Sequence, residues 1–461
     1  MSRGDRSGAP GSDDTSGVAG FAGDAHAAGA PPAAGRRLLV IADSDSYVKW
    51  GAAFAARLPG GWSAELVVLR TPVLPSRRQL RVALAGTSFA AERVPVISLD
   101  ELPERLARDR PDAVLLALRG PLVRVVAPIA ARAPGRPVLV SGFPGLTIPA
   151  ERKAIVYREQ VDLIVLHSRR EVRAFRANAE ELGIEVEFGL ATLPFLPGGR
   201  AADAAASEPG ADLVFAAQAK VPAERDDRVR LLGWLADAAR RRPSRRVVVK
   251  VRARRGEAQT HAEAFDYAEL LDDPDVRRAL GGSLPPNLVV EDGPMADHLA
   301  HAAGLVTVSS TAALEAVASG LPTLLIDEFG VTPKLINTVF EGSGLFGGAD
   351  ALAGWEFRRP ADEWLADNYF HGGEHDDWLA RLEALLDRRA AGDLLLRSRA
   401  YNLSGGALRR AFERKRMLGE HDRSLAGAAS MVVAIPTRWV VRRARRVRAL
   451  LAAPGIGVAE V

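Results

Sequence analysis

The residues best suited to chemistry are the hydroxyls of Ser309, Ser310 and Thr311, which lie between a predicted strand and a predicted helix. Residues 305–308 form a short β-rich apolar run, and residues 312–319 favour a helix that Gly320 and Pro322 would end. A strand-to-helix corner presents backbone N–H groups beside small hydroxyls, which suits an anion such as a phosphate. A hydroxyl run before a helix is also an ordinary helix cap, and this alternative stays open.

Other polar side chains are expected at strand ends in the same half of the chain. These are Gln218 after residues 213–217, Lys250 and Arg252 at the end of residues 246–251, Asp292 and Gly293 after residues 287–290, and Glu315 in the helix after the corner. Cations and N–H donors suit the phosphates of a nucleotide diphosphate, and a carboxylate suits the hydroxyls of its ribose. Taken singly, the charges could be ordinary surface residues; their placement at neighbouring strand ends favours a nucleotide site.

Predicted strands alternate with predicted helices along the chain. Strands are expected at residues 38–42, 65–69, 94–99, 112–117, 137–141, 162–167, 213–217, 246–251, 287–290, 305–308 and 323–326. Helices are expected at residues 47–58, 100–109, 123–131, 169–182, 226–241, 295–303 and 312–319. This alternation predicts an α/β fold of two doubly wound, Rossmann-like domains that face each other across a cleft.

The same pattern predicts the limits of the domains. Residues 36–195 are expected to form the first domain and residues 211–391 the second, joined by a Gly-, Ala-, Ser- and Pro-rich linker at residues 196–210. Residues 1–35 read as a disordered tail, and residues 392–461 as C-terminal helices with a basic tail.

The composition limits the classes of protein to which the chain can belong. Hydrophobic residues make up 48% and charged residues 26% of the chain, as in soluble globular proteins. The chain has no cysteine, which excludes disulfides, thiolate nucleophiles and cysteine-bound zinc and is compatible with the cytoplasm. Aromatic residues are only 6%, so nucleic acid is not an expected partner. The first 35 residues lack a secretory signal pattern, and no apolar run reaches the roughly 20 residues of a membrane span.

The segment from Ser309 to Pro322, SSTAALEAVASGLP, resembles the donor-binding signature of GT-B glycosyltransferases and of the related nucleotide-sugar 2-epimerases. In those families a hydroxyl- or glycine-rich corner binds the donor phosphates, a helix glutamate binds the ribose and a Gly-x-Pro step leads to the next strand. The corresponding residues here are Ser309, Ser310, Thr311, Glu315, Gly320 and Pro322.

A second stretch extends this resemblance. VVVKVR at residues 247–252 is similar to the strand-end lysine stretch of capsule-type transferases, although the usual following His-Pro is absent. The layout of residues 36–450 also resembles GT-B proteins, including terminal helices that return to the first domain, and the chain is most similar to an uncharacterised glycosyltransferase group.

The resemblance implies a glycosyltransferase whose nucleotide-sugar is a substrate, with no separate cofactor. Retaining members often carry a second glutamate eight positions after the first, where this chain has Thr323, so an inverting mechanism is favoured. Inversion needs a general base, which we expect from the first domain: Asp45 or Asp43, with Lys49 nearby. His167 is the next candidate for the base, and both it and Phe143 are expected on the acceptor side. Each of these residues also has a structural alternative, as a helix cap or a packing side chain.

No metal site is expected. Asp43-Ser44-Asp45 has the Asp-x-Asp form that binds a metal in the GT-A glycosyltransferase fold, but it lies in the half of the chain opposite the phosphate corner. The 8 histidines are scattered and form no ligand cluster in the sequence. A metal-independent reaction is therefore predicted.

Alternative functions remain open at this point. A nucleotide-sugar 2-epimerase would need a histidine and several cleft carboxylates, for which Asp43, Asp45 and Glu159 are available. A non-catalytic nucleotide-sugar or glycan-binding protein would need no base. For a transferase, the expected acceptor is a cell-envelope, capsule-type or lipid-linked glycan. The arginines near the C-terminus predict peripheral contact with an anionic membrane, or else an ordinary basic surface: Arg438, Arg442, Arg443, Arg445, Arg446 and Arg448. The oligomeric state is not predicted.

Overall fold

The computed structural model describes residues 35–194, 196, 210–251, 264–397 and 406–432. The predicted tail up to residue 34, nearly all of the predicted linker, Arg252 and the basic C-terminal segment lie outside these residues.

The described strands form two parallel sheets. The first contains β1 (Arg36–Ala42), β2 (Trp62–Leu69), β3 (Val96–Ile97), β4 (Ala113–Ala117), β5 (Val138–Gly142), β6 (Leu163–Leu166) and β7 (Glu187–Leu190) in the order β3-β2-β1-β4-β5-β6-β7. The second contains β8 (Asp212–Ala216), β9 (Val247–Lys250), β10 (Leu288–Glu291), β11 (Ala302–Thr307), β12 (Thr323–Ile326) and β13 (Phe346–Gly347) in the order β10-β9-β8-β11-β12-β13. The prediction of two doubly wound α/β domains is confirmed.

Helices connect these strands. They are α1 (Asp45–Ala55), α2 (Arg77–Leu84), α3 (Leu102–Asp109), α4 (Gly120–Ala130), α5 (Arg152–Val156), α6 (Arg169–Leu182), α7 (Arg225–Arg241), α8 (Tyr267–Asp272), α9 (Pro274–Ala279), α10 (Met295–Leu299), α11 (Ala312–Ala318), α12 (Ala349–Gly354), α13 (Asp362–Asp367), α14 (Trp378–Ala390) and α15 (Gly406–Leu418). Short 3-10 helices span Pro333–Leu335, Thr338–Phe340, Gly373–His375 and Gly419–His421. Within the described ranges, no helix has the length and apolar character that crossing a bilayer requires.

Each sheet reverses its strand order at one place. In the first sheet this place is between β1 and β4, and in the second it is between β8 and β11. Connections leave such neighbouring strands in opposite directions, so a crevice opens at their carboxyl ends, and this is where ligands bind in open α/β sheets. Candidate catalytic and binding residues of this chain follow β1, β8 and β11.

Both faces of each sheet are buried, which explains the continuous apolar runs in the sequence. Along β1, Leu38 and Val40 belong to the core on one face of the sheet, whereas Leu39 and Ile41 belong to the core on the other face. Because side chains alternate across a strand, an uninterrupted apolar run can supply both cores. The second sheet is likewise packed on both faces.

The C-terminal helices pack on the first sheet. Trp378, Leu382, Leu385 and Leu386 of α14 form one apolar stripe in the first sheet's core, and the rings of Trp378 and Phe54 lie 4.3 Å apart. α14 lies within residues 211–391, which the sequence assigned to the second domain, yet its contacts are with the first. α15 likewise reaches the first sheet, where Leu418 is buried in the core that contains α4.

A buried carboxylate joins the two halves of the fold. Glu171, in the first turn of α6, accepts hydrogen bonds from the backbone N–H of His167 at 2.8 Å and from the hydroxyl of Tyr369 at 2.7 Å. The N–H and the hydroxyl of Thr147 donate to the same side chain at 3.2 and 2.6 Å. Tyr369 belongs to the core of the second sheet. Burial raises the pKa of Glu171, and its hydrogen bonds oppose that rise.

Replacing Glu171 by Gln should therefore destabilise the protein. The N–H and hydroxyl of Thr147 and the hydroxyl of Tyr369 donate to one carboxylate oxygen, and the N–H of His167 donates to the other. A glutamine has only one side-chain oxygen, so its NH₂ group must face at least one of these donors. We expect the free energy of unfolding, from urea titration followed by circular dichroism, to fall by about 1–3 kcal/mol.

Glu383→Gln is the matched control. Glu383 pairs with Arg36 at 3.1 Å, but these side chains are 46% and 39% exposed, so loss of the pair should change the free energy of unfolding by less than about 0.5 kcal/mol. Equal changes in the free energy of unfolding would show that the Glu171 hydrogen bonds stabilise the protein no more than the Arg36–Glu383 pair does.

Candidate functional site

The hydroxyl-rich corner forms at the point where the second sheet reverses its order. β8 and β11 are neighbours, so Gln218, just after β8, meets Ser309, just after β11. The Gln218 Oε1 atom accepts from the Ser309 N–H at 3.0 Å, and Gln218 Nε2 lies 3.1 Å from Ser309 Oγ. The Thr307 hydroxyl donates to the Ala216 carbonyl at 3.0 Å and accepts from the Ser310 N–H at 3.3 Å. These hydrogen bonds connect the end of β8 to the corner.

Two hydroxyls of the corner differ in their local role. Ser310 Oγ accepts from the N–H of Ala312 at 3.2 Å, so it caps the start of α11, whereas Thr311 makes no side-chain capping hydrogen bond. Ser310 and Thr311 are partly exposed and Ser309 is buried. Of the predicted phosphate-binding hydroxyls, those of Ser310 and Thr311 are therefore the more accessible.

The corner directly contacts the first domain. Lys49 Nζ, on α1, lies 3.3 Å from Glu315 Oε1, on α11. The loop after β5 also reaches the corner, because a Cβ atom on Gly145 would lie only 2.9 Å from Thr311 Cγ2. The carboxyl ends of the two sheets therefore face each other at this point. Glu315 retains 19% side-chain exposure, so it remains reachable from the cleft.

The other residues predicted for the donor site lie further along the second sheet. Lys250 ends β9 and is largely buried. Arg252 falls outside the described residues, so its position stays a prediction. Gly293 has a φ of 113°, a conformation that favours glycine, and this backbone requirement explains the residue without a ligand.

Asp43 is held inside the first domain. It is fully buried after β1, and its carboxylate accepts from the Arg119 Nε–H at 2.6 Å and from the Arg119 backbone N–H at 3.3 Å. Arg119 follows β4, so this pair spans the place where the first sheet reverses its order. Burial raises the pKa of Asp43 while the Arg119 guanidinium opposes the rise. Asp43 therefore suits a positioning role better than proton transfer to a substrate.

Asp45 has a different environment, although it is only two residues away. It is the first residue of α1 and is partly exposed. Asp45 and Lys49 are four residues apart on this helix, so they lie on the same face. Because Lys49 contacts Glu315, this face is turned towards the second domain. Asp45 is thus the better placed of the two base candidates.

His167 and Phe143 do not fit the acceptor side. His167 is fully buried; its Nδ1–H donates to the Ala191 carbonyl at 2.8 Å, and its Nε2 accepts from the Trp50 indole N–H at 2.8 Å. Burial lowers the pKa of His167 to about 4, so the ring is neutral near neutral pH. Phe143 is buried beneath the guanidinium of Arg158, which lies 4.0 Å from its ring centroid. Both side chains belong to the core.

Two positions that shape the candidate site could not be identified in the sequence. Arg119 lacks a motif, and only the pairing of β1 with β4 brings it to Asp43. Gly145 likewise lacks a motif, and its contact with Thr311 depends on the approach of the two sheets. Over the described residues, no group of three or more His, Asp or Glu side chains is arranged to bind a metal ion.

The contact between Gly145 and Thr311 predicts a steric coupling. Gly145→Ala should destabilise the protein, because the new methyl group overlaps Thr311 Cγ2, and Thr311→Ser should relieve the overlap by removing that atom. In a double-mutant cycle of unfolding free energies we expect a coupling of about 0.5–3 kcal/mol. Gly60→Ala is the control, since a Cβ there meets no atom within 4 Å. Purely additive effects would contradict this contact.

Solved structures of low sequence identity are similar to this chain over most of its length. The UDP-GlcNAc 2-epimerase of Methanocaldococcus jannaschii is 12% identical, with a TM-score of 0.49 over 76% of this chain and 99% of that one. A putative UDP-N-acetylglucosamine 2-epimerase of Listeria monocytogenes is 11% identical, with a TM-score of 0.47 over 79% of this chain and 98% of that one. A ugt transferase from Siraitia grosvenorii, solved in complex with UDP, is 12% identical, with a TM-score of 0.42 over 84% of this chain and all (100%) of that one.

No curated protein matches the sequence. A family model does match, and it covers residues 38–385, which include all but the first two residues of β1, the remaining strands of both sheets and the corner after β11. The chain therefore belongs to the family described as "Putative glycosyltransferase (DUF6716)".

Proposed function

We propose that this protein is an inverting, metal-independent glycosyltransferase that moves a sugar from a nucleotide-sugar to a hydroxyl of a cell-envelope or capsule-type glycan. The second domain binds the donor at the corner after β11. The first domain supplies the base and binds the acceptor.

The observation that carries this proposal is the contact between Lys49 and Glu315. It brings one face of α1, with Asp45 one turn before Lys49, against the helix that follows the corner. A donor at this corner and a carboxylate on the opposite wall are what an inverting transfer needs, because base and donor must approach one acceptor hydroxyl together.

The donor site is assigned by chemistry. The hydroxyls of Ser310 and Thr311 hydrogen bond to phosphate oxygens, and Gln218 keeps Ser309 and the loop in place. Glu315 accepts hydrogen bonds from the ribose hydroxyls, and the largely buried Lys250 adds positive charge on the same sheet. Charge-assisted hydrogen bonds of this kind are stronger than neutral ones.

The reaction is a single displacement. The Asp45 carboxylate takes the proton of the acceptor hydroxyl, whose oxygen bonds to the anomeric carbon of the sugar. The bond between that carbon and the phosphate oxygen breaks, and its electron pair leaves with the nucleotide. Attack from the face opposite the leaving group inverts the anomeric configuration. The position that would carry a second glutamate in many retaining enzymes is Thr323.

The alternative of a 2-epimerase receives less support. Its elimination and re-addition at the sugar would draw on further cleft carboxylates, for which Asp43 and Glu159 were the candidates. Asp43 is buried against Arg119, and Glu159 is buried near Arg124. A purely binding role is less favoured because Asp45 is partly exposed on the helix face that meets the donor corner.

The acceptor is assigned by the resemblance to capsule-type transferases, and contact with an anionic membrane would bring the protein close to a lipid-linked glycan. The arginine-rich segment proposed for that contact, residues 438–448, lies outside the described residues.

The proposal predicts that two carboxylates can be separated by experiment. Asp45→Asn should lower turnover about 10²–10⁴-fold and leave nucleotide affinity unchanged, because the base acts only in the chemical step. Glu315→Gln should weaken nucleotide binding about tenfold or more, because a charged acceptor becomes neutral. A thermal-shift screen of UDP-, GDP-, CMP- and dTDP-sugars selects the donor. Calorimetry then measures affinity, and nucleotide release in the presence of an envelope glycan extract measures turnover.

Asp362→Asn is the control for Asp45→Asn. Asp362 is also the first residue of its helix, α13, so the substitution removes a similar helix-terminal charge from a residue outside the proposed site. Full turnover in Asp45→Asn, or unchanged nucleotide affinity in Glu315→Gln, would contradict the respective assignment.

A further inference from the structure

Among the ion pairs that join the two domains in the described residues, two resemble each other closely, and in both the first domain supplies the cation. Lys49 of α1 pairs with Glu315 at 3.3 Å, and Arg78 of α2 pairs with Asp292 at 3.1 Å. Exposure is similar as well: the side chains of Lys49 and Glu315 are 43% and 19% exposed, and those of Arg78 and Asp292 are 39% and 23% exposed. As tethers between domains, the two pairs should therefore be equivalent.

Their positions on the second sheet differ. Asp292 follows β10, the edge strand, whereas Glu315 lies on the helix that follows β11, next to β8. The strand order reverses between β8 and β11, and this is the ligand-binding crevice of the sheet. Only the Lys49 pair thus lies beside the phosphate corner.

We propose that Lys49 is a donor-binding residue which the first domain contributes to the nucleotide site, and that its ligand is the diphosphate of the donor. This inference rests on the proposed function and adds to it. It makes the donor site a shared site, completed by a cation from the opposite domain.

The order of groups in a nucleoside diphosphate places Lys49 near the phosphates. Its ribose is joined directly to its diphosphate, so an ammonium group 3.3 Å from the carboxylate that binds the ribose is near the phosphates. Ribose hydroxyls that donate to Glu315 compete with Lys49 for the same oxygens. The flexible four-carbon side chain of lysine then allows its ammonium to move to the more highly charged diphosphate.

The chemical step strengthens this preference. When the bond between the anomeric carbon and the phosphate oxygen breaks, the electron pair leaves with the diphosphate and its negative charge increases. A cation placed between two domains acts where the effective dielectric is lower than in water, so its attraction to that charge is larger. Lys49 and Asp45, one turn apart on α1, would therefore serve the two ends of the same displacement.

The test compares Lys49→Met with Arg78→Met, since both remove one cation between the domains and keep an apolar side chain. Calorimetry measures the binding of UDP, GDP, CDP and dTDP and of the corresponding monophosphates to each variant and to the wild type. For the diphosphate that binds, we expect Lys49→Met to weaken affinity about 10- to 100-fold and to weaken the monophosphate distinctly less. Arg78→Met should change both affinities less than about threefold.

The outcomes separate this inference from the proposed function. Equal losses of diphosphate affinity in Lys49→Met and Arg78→Met would mean that Lys49 only links the two domains. Equal losses of mono- and diphosphate affinity in Lys49→Met would mean that Lys49 acts only through Glu315. Either result overturns the inference. Unchanged diphosphate affinity in Lys49→Met, with a loss in Glu315→Gln, overturns the inference alone. If the wild type binds no nucleoside diphosphate, the inference falls together with the diphosphate-sugar form of the proposed function.

Discussion

The buried carboxylate of Glu171 is the constraint on which the arrangement of the two domains depends. Its hydrogen bonds secure the start of α6, the loop at Thr147 and the hydroxyl of Tyr369 in the second domain. Gly145 is two residues before Thr147 and reaches Thr311 at the corner. A charge without these donors would be costly at such depth, so the network is stable only when all three segments are in place. The buried hydrogen bonds of Glu171 therefore fix the position of the first-domain loop at the corner.

The site itself results from the topology of parallel sheets. Reversal of strand order between β8 and β11 brings Gln218 to Ser309, and reversal between β1 and β4 brings Arg119 to Asp43. Each crevice thus has a polar pair at its base. The more exposed groups, Asp45, Lys49 and Glu315, lie above these pairs where the two sheets approach each other. The buried pairs therefore hold the loops in place, and the more exposed side chains are the ones that can reach a ligand.

Much of the fold could be predicted because buried parallel strands have continuous apolar runs, and α6 was predicted with its observed bounds of Arg169–Leu182. β7 and β13 were missed because each is short and includes a glycine. The predicted helix at residues 295–303 ends at Leu299, since Ala302 already pairs with β8. The corner was recognisable from local spacing. The Lys49–Glu315 contact was not, because its partners are 266 positions apart and their meeting depends on packing between the domains.

The central claim is that the corner after β11 binds the donor opposite α1. A crystal structure of the complex with the nucleoside diphosphate that binds best would test it most directly. We expect phosphate oxygens within hydrogen-bonding distance of Ser310 and Thr311, the ribose on Glu315, and Asp45 across the cleft. A nucleotide bound at the Asp43–Arg119 crevice of the first sheet, with the corner unoccupied, would contradict it.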